Sequence, residues 1–147
     1  MAGNTISDLI RNIENAIIEA VENEASNRMV EIVKEHIDSD VYDKYNPTEY
    51  KRTKDLKNSV QKTIDSGSGD ILITIDHDDD KLNYESILGQ EVYQQGIPIM
   101  IEKGKIHPLF GGGFSYLQPR PYMHNSEEEI KKNLDKIVGK AITNRLK

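Results

Sequence analysis

The opening forty residues constrain the fold more than any other stretch. Apolar side chains recur at Ile6, Leu9, Ile10, Ile13, Ile17, Val21, Met29, Ile32, Val33 and Ile37, in steps mostly of three and four. That spacing predicts one long amphipathic helix from about residue 5 to residue 38. Thr5 with Asp8, or Ser7 nearby, is placed to cap the free amides at its start. Between Glu22 and Arg28 only Ala25 continues the stripe, so a bend or weaker packing is expected there. A helix of roughly 30 residues is about 45 Å long. A domain of 147 residues does not need that length, so one end is expected to reach beyond its own subunit.

The rest of the chain predicts an α+β fold in a single domain over residues 1–147. Sheet and loops are expected from about 41 to 121. Ser39 to Pro47 lacks helical period, and Val41, Tyr42 and Tyr45 suggest an extended piece or loop. Asp55 to Val60 fits one or two helical turns. Val60 to Asp65, then Ser66 to Gly69 and Ile71 to Ile75, make a β-hairpin signal. Asn83 to Gln95 reads as a short helix stopped by Gly96, and Ile97 to Gly104 as another strand. His107 to Pro121 reads as a loop around Gly111 to Gly113. The capping-box pattern Ser126 to Glu129 opens a C-terminal amphipathic helix over about 126–146, expected to pack on the small antiparallel sheet.

Composition narrows the function. Net charge is −6 and the pI is near 5.2, which argues against a general binder of phosphate backbones. Hydrophobic residues make up 36% and mean hydropathy is −0.64, suiting a chain that finishes its packing against neighbours. There is no cysteine, hence no disulfide framework or thiolate chemistry. No apolar run approaches the roughly 18 residues of a membrane span, and the N-terminus lacks a signal-type pattern, so synthesis in the host cytoplasm without membrane association is expected.

Asp76 to Asp80 offers oxygens to a hard cation but lacks the glycine and twelfth-position glutamate of an EF-hand loop, and a solvated turn is the expected role. Glu49 and Lys51, with Asp40 or Asp43 upstream, give the loose outline of a metal-dependent nuclease, although Pro47 makes the flank turn-like. His36, His77, His107 and His124 show no ligand spacing and are expected on surfaces or loops. The triple glycine lacks the Lys-Ser/Thr of a phosphate-cradling loop. No metal, cofactor or catalytic residue is therefore assigned. The tyrosines, Tyr42, Tyr45, Tyr50, Tyr116 and Tyr122, suit half-dry subunit contacts.

The stretch YNPTEYKRTKDLKNSVQ from Tyr45 then acquires a context. Tyr50, Lys51, Arg52 and Thr53, followed by Leu56, Ser59 and Val60, resemble the Y-x-R-T-G-x-L-x-x-S-I signature of tailed-bacteriophage neck or tail-completion proteins, the minor tail components of head-tail joining. Ile101 to Gly104 is similar to that family's v-E-x-G segment, and Arg120 to Met123 to its R-P-F-hydrophobic turn before the last helix. Lys54 stands where the family has glycine, and the segments 79–95 and 107–117 are longer than usual. The resemblance implies an α+β structural virion protein, not an enzyme. It implies a homo-oligomeric ring, expected as a hexamer, joining portal-side connector or head-completion proteins to tail terminator or tail tube proteins. Genomic DNA would pass through it without sequence-specific binding. Tyr50, Arg52, Thr53, Glu102, Arg120 and Tyr122 are the expected subunit-contact residues, with Arg52 facing Glu102. The alternatives are the small metal-dependent nuclease and a cytoplasmic partner-binding adaptor.

Overall fold

A computed structural model describes residues 5–44, 54–67, 69–82, 97–108 and 114–147. The chain is α+β and mostly helical, with a long N-terminal helical run, two antiparallel hairpins and a C-terminal helix. The helical run comprises α1 (Ile6–Ala20), a π-helical turn (Val21–Ala25), α2 (Ser26–His36) and a second π-helical turn (Ile37–Tyr42). Its start is fixed by a complete capping box: Thr5 accepts from the Asp8 amide, and the Asp8 carboxylate accepts from the Thr5 amide.

The irregularity expected between Glu22 and Arg28 is present as the first π turn, but packing there is tight. Ala20, Ala25 and Ser26 are almost wholly buried. An i→i+5 turn lets five residues close one revolution, so Ala20 and Ala25 both face the C-terminal helix. The turn also loosens the carbonyl ladder, and side chains occupy the freed groups. Ser26 Oγ donates to the Glu22 and Asn23 carbonyls. Lys62 Nζ, reaching in from the first hairpin, donates to Glu22 O at 3.1 Å, Ser26 Oγ at 2.6 Å and Asn27 Oδ1 at 2.7 Å.

The second π turn corrects the expected extended piece after Ser39. The helix continues through Tyr42 because Ile37 and Val41 drop into the core, and burial there outweighs their β-branched preference. After it come α3 (Asp55–Asn58), β1 (Val60–Gly67) and β2 (Asp70–His77). The predicted hairpin is observed in the register Val60↔His77 through Gly67↔Asp70, with Gly69 at φ +97°, a conformation glycine adopts freely. Alternate residues on each strand turn inward, placing Ile71, Ile73, Ile75 and His77 on one face.

Ile97 to Gly104 is not a strand. It forms the short helix α4 (Ile97–Lys103), ended by Gly104 at φ +74°. Pro98 in the first turn costs a helix little, and Ile101 packs against the core. The expected loop from His107 likewise contains a second hairpin, β3 (Lys105–Pro108) with β4 (Phe114–Leu117), whose connection through Gly111 to Gly113 lies outside the described residues. The helix expected over Asn83 to Gln95 also lies outside them.

The last helix, α5 (Tyr122–Arg145), begins four residues before its expected cap. Ser126 is buried and its hydroxyl donates back to the Tyr122 carbonyl, so it belongs to the helix interior. Tyr122 joins Val33, Ile37, Val41, Leu56, Val60 and Leu82 in the main core, against which Ile75, Ile101 and Ile130 pack. Farther along, Ala141 meets Ala20 and Ala25, with Ile137, Val138 and Ile142 around them. The C-terminal helix thus meets the sheet at its start and the first helix along the rest of its length. Replacing Lys62 with Met keeps the aliphatic stem but leaves the Ser26 and Asn27 side chains without this donor and the Glu22 carbonyl with Ser26 alone. A loss of about 1–3 kcal/mol in urea-unfolding stability is expected.

Candidate functional site

The three segments that carry the family resemblance converge at the start of α5. Leu56, Ser59 and Val60 are all buried there. Ser59 Oγ donates to the Leu56 carbonyl at 2.8 Å, so it accepts from His77 Nδ1 at 2.7 Å. That leaves His77 Nε2 as acceptor for the Tyr122 hydroxyl at 2.8 Å. This assigns a neutral imidazole with its proton on Nδ1. The two rings also meet edge to face, 5.8 Å between centroids. Burial pushes the His77 pKa down, against the opposing pull of Asp76, Asp79 and the Leu56 carbonyl. Burial, with Glu102 and Tyr42 adding to it, raises that of Tyr122 and keeps its hydroxyl a donor.

Glu102 closes the same corner. Its carboxylate accepts from the amides of Met123 at 2.8 Å and His124 at 3.0 Å, capping α5 from outside the helix. The Arg120 amide donates to the Ile101 carbonyl at 2.9 Å, binding the turn to α4. Of the six residues expected at subunit contacts, Glu102, Arg120 and Tyr122 are therefore brought together, and Tyr122 is fully buried within its own chain. Tyr50, Arg52 and Thr53 lie outside the described residues, as do Glu49 and Lys51. Lys54 is described, and it holds φ 63° and ψ 21°, a left-handed conformation that favours glycine, the residue expected there from the resemblance.

A second polar cluster sits one helical turn away. His36 lies between two carboxylates, with Nδ1 2.9 Å from Asp40 Oδ2 and Nε2 2.8 Å from Glu129 Oε2. Burial opposes charge on the ring, but the two carboxylates outweigh it and raise the pKa. Asp40 is also half-buried, yet donors from Asn125, His36 and Ser39 hold its pKa low. The expectation of surface or loop histidines is thus corrected for His36 and His77, which join separate elements. The inward alternation along β2 was the available signal for His77; nothing local pointed to His36.

Beside this cluster opens a recess of ≈ 600 Å³, lined by Asp40, Lys44, Gln118, Pro119, Arg120, Pro121 and Asn125. Charges of both signs on its wall suit a polar segment of another chain better than an apolar ligand. The acidic run is a turn: Asp78 accepts from the Asp80 amide at 3.2 Å and pairs with Lys81. Among the described residues no group of three or more His, Asp or Glu is placed to hold a metal ion, and no helix is long and apolar enough to cross a membrane.

Fold and site together define a small α+β protein whose polar groups tie secondary-structure elements to one another. The chain belongs to the YomN family, whose model matches residues 5–147. It is 32% identical over 131 residues to the SPbeta prophage-derived uncharacterized protein YomN of Bacillus subtilis (strain 168), covering 86% of this chain and 84% of that one. This relationship associates the chain with phage genomes. No solved structure matches it.

Two measurements check the site. The raised His36 pKa means the folded state holds that proton more tightly, so its contribution is full below the ordinary 6.5 and fades as pH rises through the folded value. His36→Gln should therefore lower the urea midpoint more at pH 6 than at pH 8, against wild type at each pH. The left-handed Lys54 predicts the opposite sign of effect: Lys54→Gly should raise stability by about 0.5–1 kcal/mol, read from the same unfolding curves.

Proposed function

We propose that this chain is a structural virion protein of the phage head-tail junction, a neck or tail-completion subunit. In this reading it assembles as a ring between portal-side connector or head-completion proteins and tail terminator or tail tube proteins. The observation that carries the reading is the convergence just described. Segments around Leu56–Val60, Ile101–Gly104 and Arg120–Met123, which resemble three motifs of that protein class, interlock through Ser59, His77, Tyr122 and Glu102. Residues at such a corner fix the shape of a subunit, and shape is what a ring component contributes. The prophage-derived relative supports the phage setting.

Charge is compatible with a position on the DNA path. With a net charge of −6 per copy, a ring concentrates negative potential around its channel, and an acidic wall repels phosphates and limits sticking during passage. The experiment is a phage carrying an early stop codon in this gene. Lysates are expected to contain filled heads and separate tails, with joining restored when the purified chain is added. Normal joined particles would overturn the reading, as would DNA cleavage by the purified chain with Mg²⁺ or Mn²⁺.

A further inference from the structure

A single proton decides how many elements His36 can hold. Both ring nitrogens face carboxylate oxygens, Nδ1 at 2.9 Å from Asp40 Oδ2 and Nε2 at 2.8 Å from Glu129 Oε2. An ionised carboxylate only accepts, so each contact needs an N–H on the ring. The charged ring carries two and serves both partners. The neutral ring carries one, and the other carboxylate then meets a bare lone pair and turns away.

The surroundings determine which contact is lost. Asp40 lies four residues along the same helical run, and its side chain is 20% exposed. Asn125 Nδ2 donates to the same Oδ2 at 3.0 Å and Ser39 Oγ to Oδ1 at 3.1 Å, so this carboxylate is held from three sides. Glu129 belongs to α5 and is 40% exposed, and among the described residues its carboxylate accepts from His36 alone. Turning Asp40 away breaks two further hydrogen bonds at a site with little water, whereas Glu129 exchanges its one bond for solvent. The remaining proton therefore belongs on Nδ1. The other charged groups around the ring are already paired, Glu35 on α2 with Arg28 and Lys57 on α3 with Asp38.

We propose that His36 is a proton-operated latch on the seam between α2 and α5: the charged ring ties Glu129 to α2, and loss of the Nε2 proton frees Glu129 while the Asp40 contact stays. The latch lies between two fixed ends of α5. Before it, Tyr122 is bonded to His77, and Glu102 holds the Met123 and His124 amides. After it, Ala141 packs on Ala20 and Ala25, and Arg145 pairs with Glu19 and Glu24. His36–Glu129 is the one ion pair between α2 and α5 among the described residues. Its release loosens the middle of α5 without detaching either end. Burial lowers the His36 pKa, but the hydrogen bonds to Asp40 and Glu129 outweigh it and raise the value. The latch is thus closed below 6.5 and opens as pH rises through the folded value. The inference does not depend on the head-tail reading, because it concerns the isolated chain.

The test is NMR of the full chain labelled with nitrogen-15. At high pH the ring-nitrogen shifts of His36 should place its proton on Nδ1, and its titration midpoint should lie above 6.5. Amide exchange, corrected for intrinsic base catalysis, should speed up severalfold from pH 6 to pH 8 at residues 130–136 and hold steady at Met123 and His124. In His36→Gln that pH dependence should vanish, because glutamine does not titrate. Asp40→Asn should move the neutral proton to Nε2, since an asparagine amide can donate to Nδ1, and the middle of α5 should then exchange alike at both pH values. Neutral His36 with its proton on Nε2 in the wild-type chain would overturn the proposal, and that measurement needs no variant. So would a midpoint at or below 6.5, steady exchange at residues 130–136, or a His36→Gln chain that keeps the wild-type pH dependence. An Asp40→Asn chain with its proton still on Nδ1 would overturn it as well.

Discussion

Tyr122 enters the core with every polar group already engaged. Its hydroxyl donates to His77, its amide to the Arg120 carbonyl, and its own carbonyl accepts from Ser126. The two amides after it are held by Glu102. A helix that starts inside a protein must find partners for its first amides, and here those partners come from α4 rather than from the helix's own sequence. Remove that arrangement and α4, β2 and α5 lose the point at which they meet. The side chains packed around the tyrosine, Val33, Leu56 and Val60 among them, draw on three further elements.

That remote cap also explains where sequence reading succeeded and where it failed. The stripe from Ile6 to Ile37, the hairpin at Ser66 to Gly69 and the Thr5–Asp8 box are local patterns, and the structure contains each of them. Ser126 to Glu129 is a local pattern too, but Glu102 lies twenty residues upstream and starts the helix earlier. Ile97, Ile99 and Ile101 are strand-forming residues, and no local feature weighs the core contact of Ile101 against that preference. The pairing of Lys62 with Glu22, or of His36 with Glu129, joins residues far apart in sequence. One sequence contains no trace of such pairings unless a motif carries it. The resembling segments were legible as an ordered set, while their convergence in space required the fold.

The two histidines illustrate how one scaffold sets opposite titration behaviour with the same side chain. His77 faces a serine and a tyrosine, both neutral, at a largely buried site, where burial disfavours charge. His36 faces two carboxylates at a half-exposed site, where charge is favoured. As pH falls below 6.5 the first opposes folding, because its site resists the proton, while the second reaches its full contribution. The β2–α5 contact therefore weakens on acidification and the α2–α5 contact as pH rises.

The first helical run divides into two halves with different physical roles, and the π turn marks the boundary. Beyond Val21 the stripe is inside: the turn realigns Ala25 with Ala20, Ser26 and Lys62 satisfy its loosened carbonyls, and α5 covers it. Before Ala16 the same stripe is in water. Hydrophobic residues scattered singly over a surface need no explanation, but an unbroken row of isoleucine and leucine on a capped helix does. Among the described residues nothing covers that row. The packed half of this helix answers to the fold, and its outer half adds a row of apolar side chains to the surface. A small acidic protein can in this way keep a compact core around Tyr122 and still extend an arm that its own mass does not require.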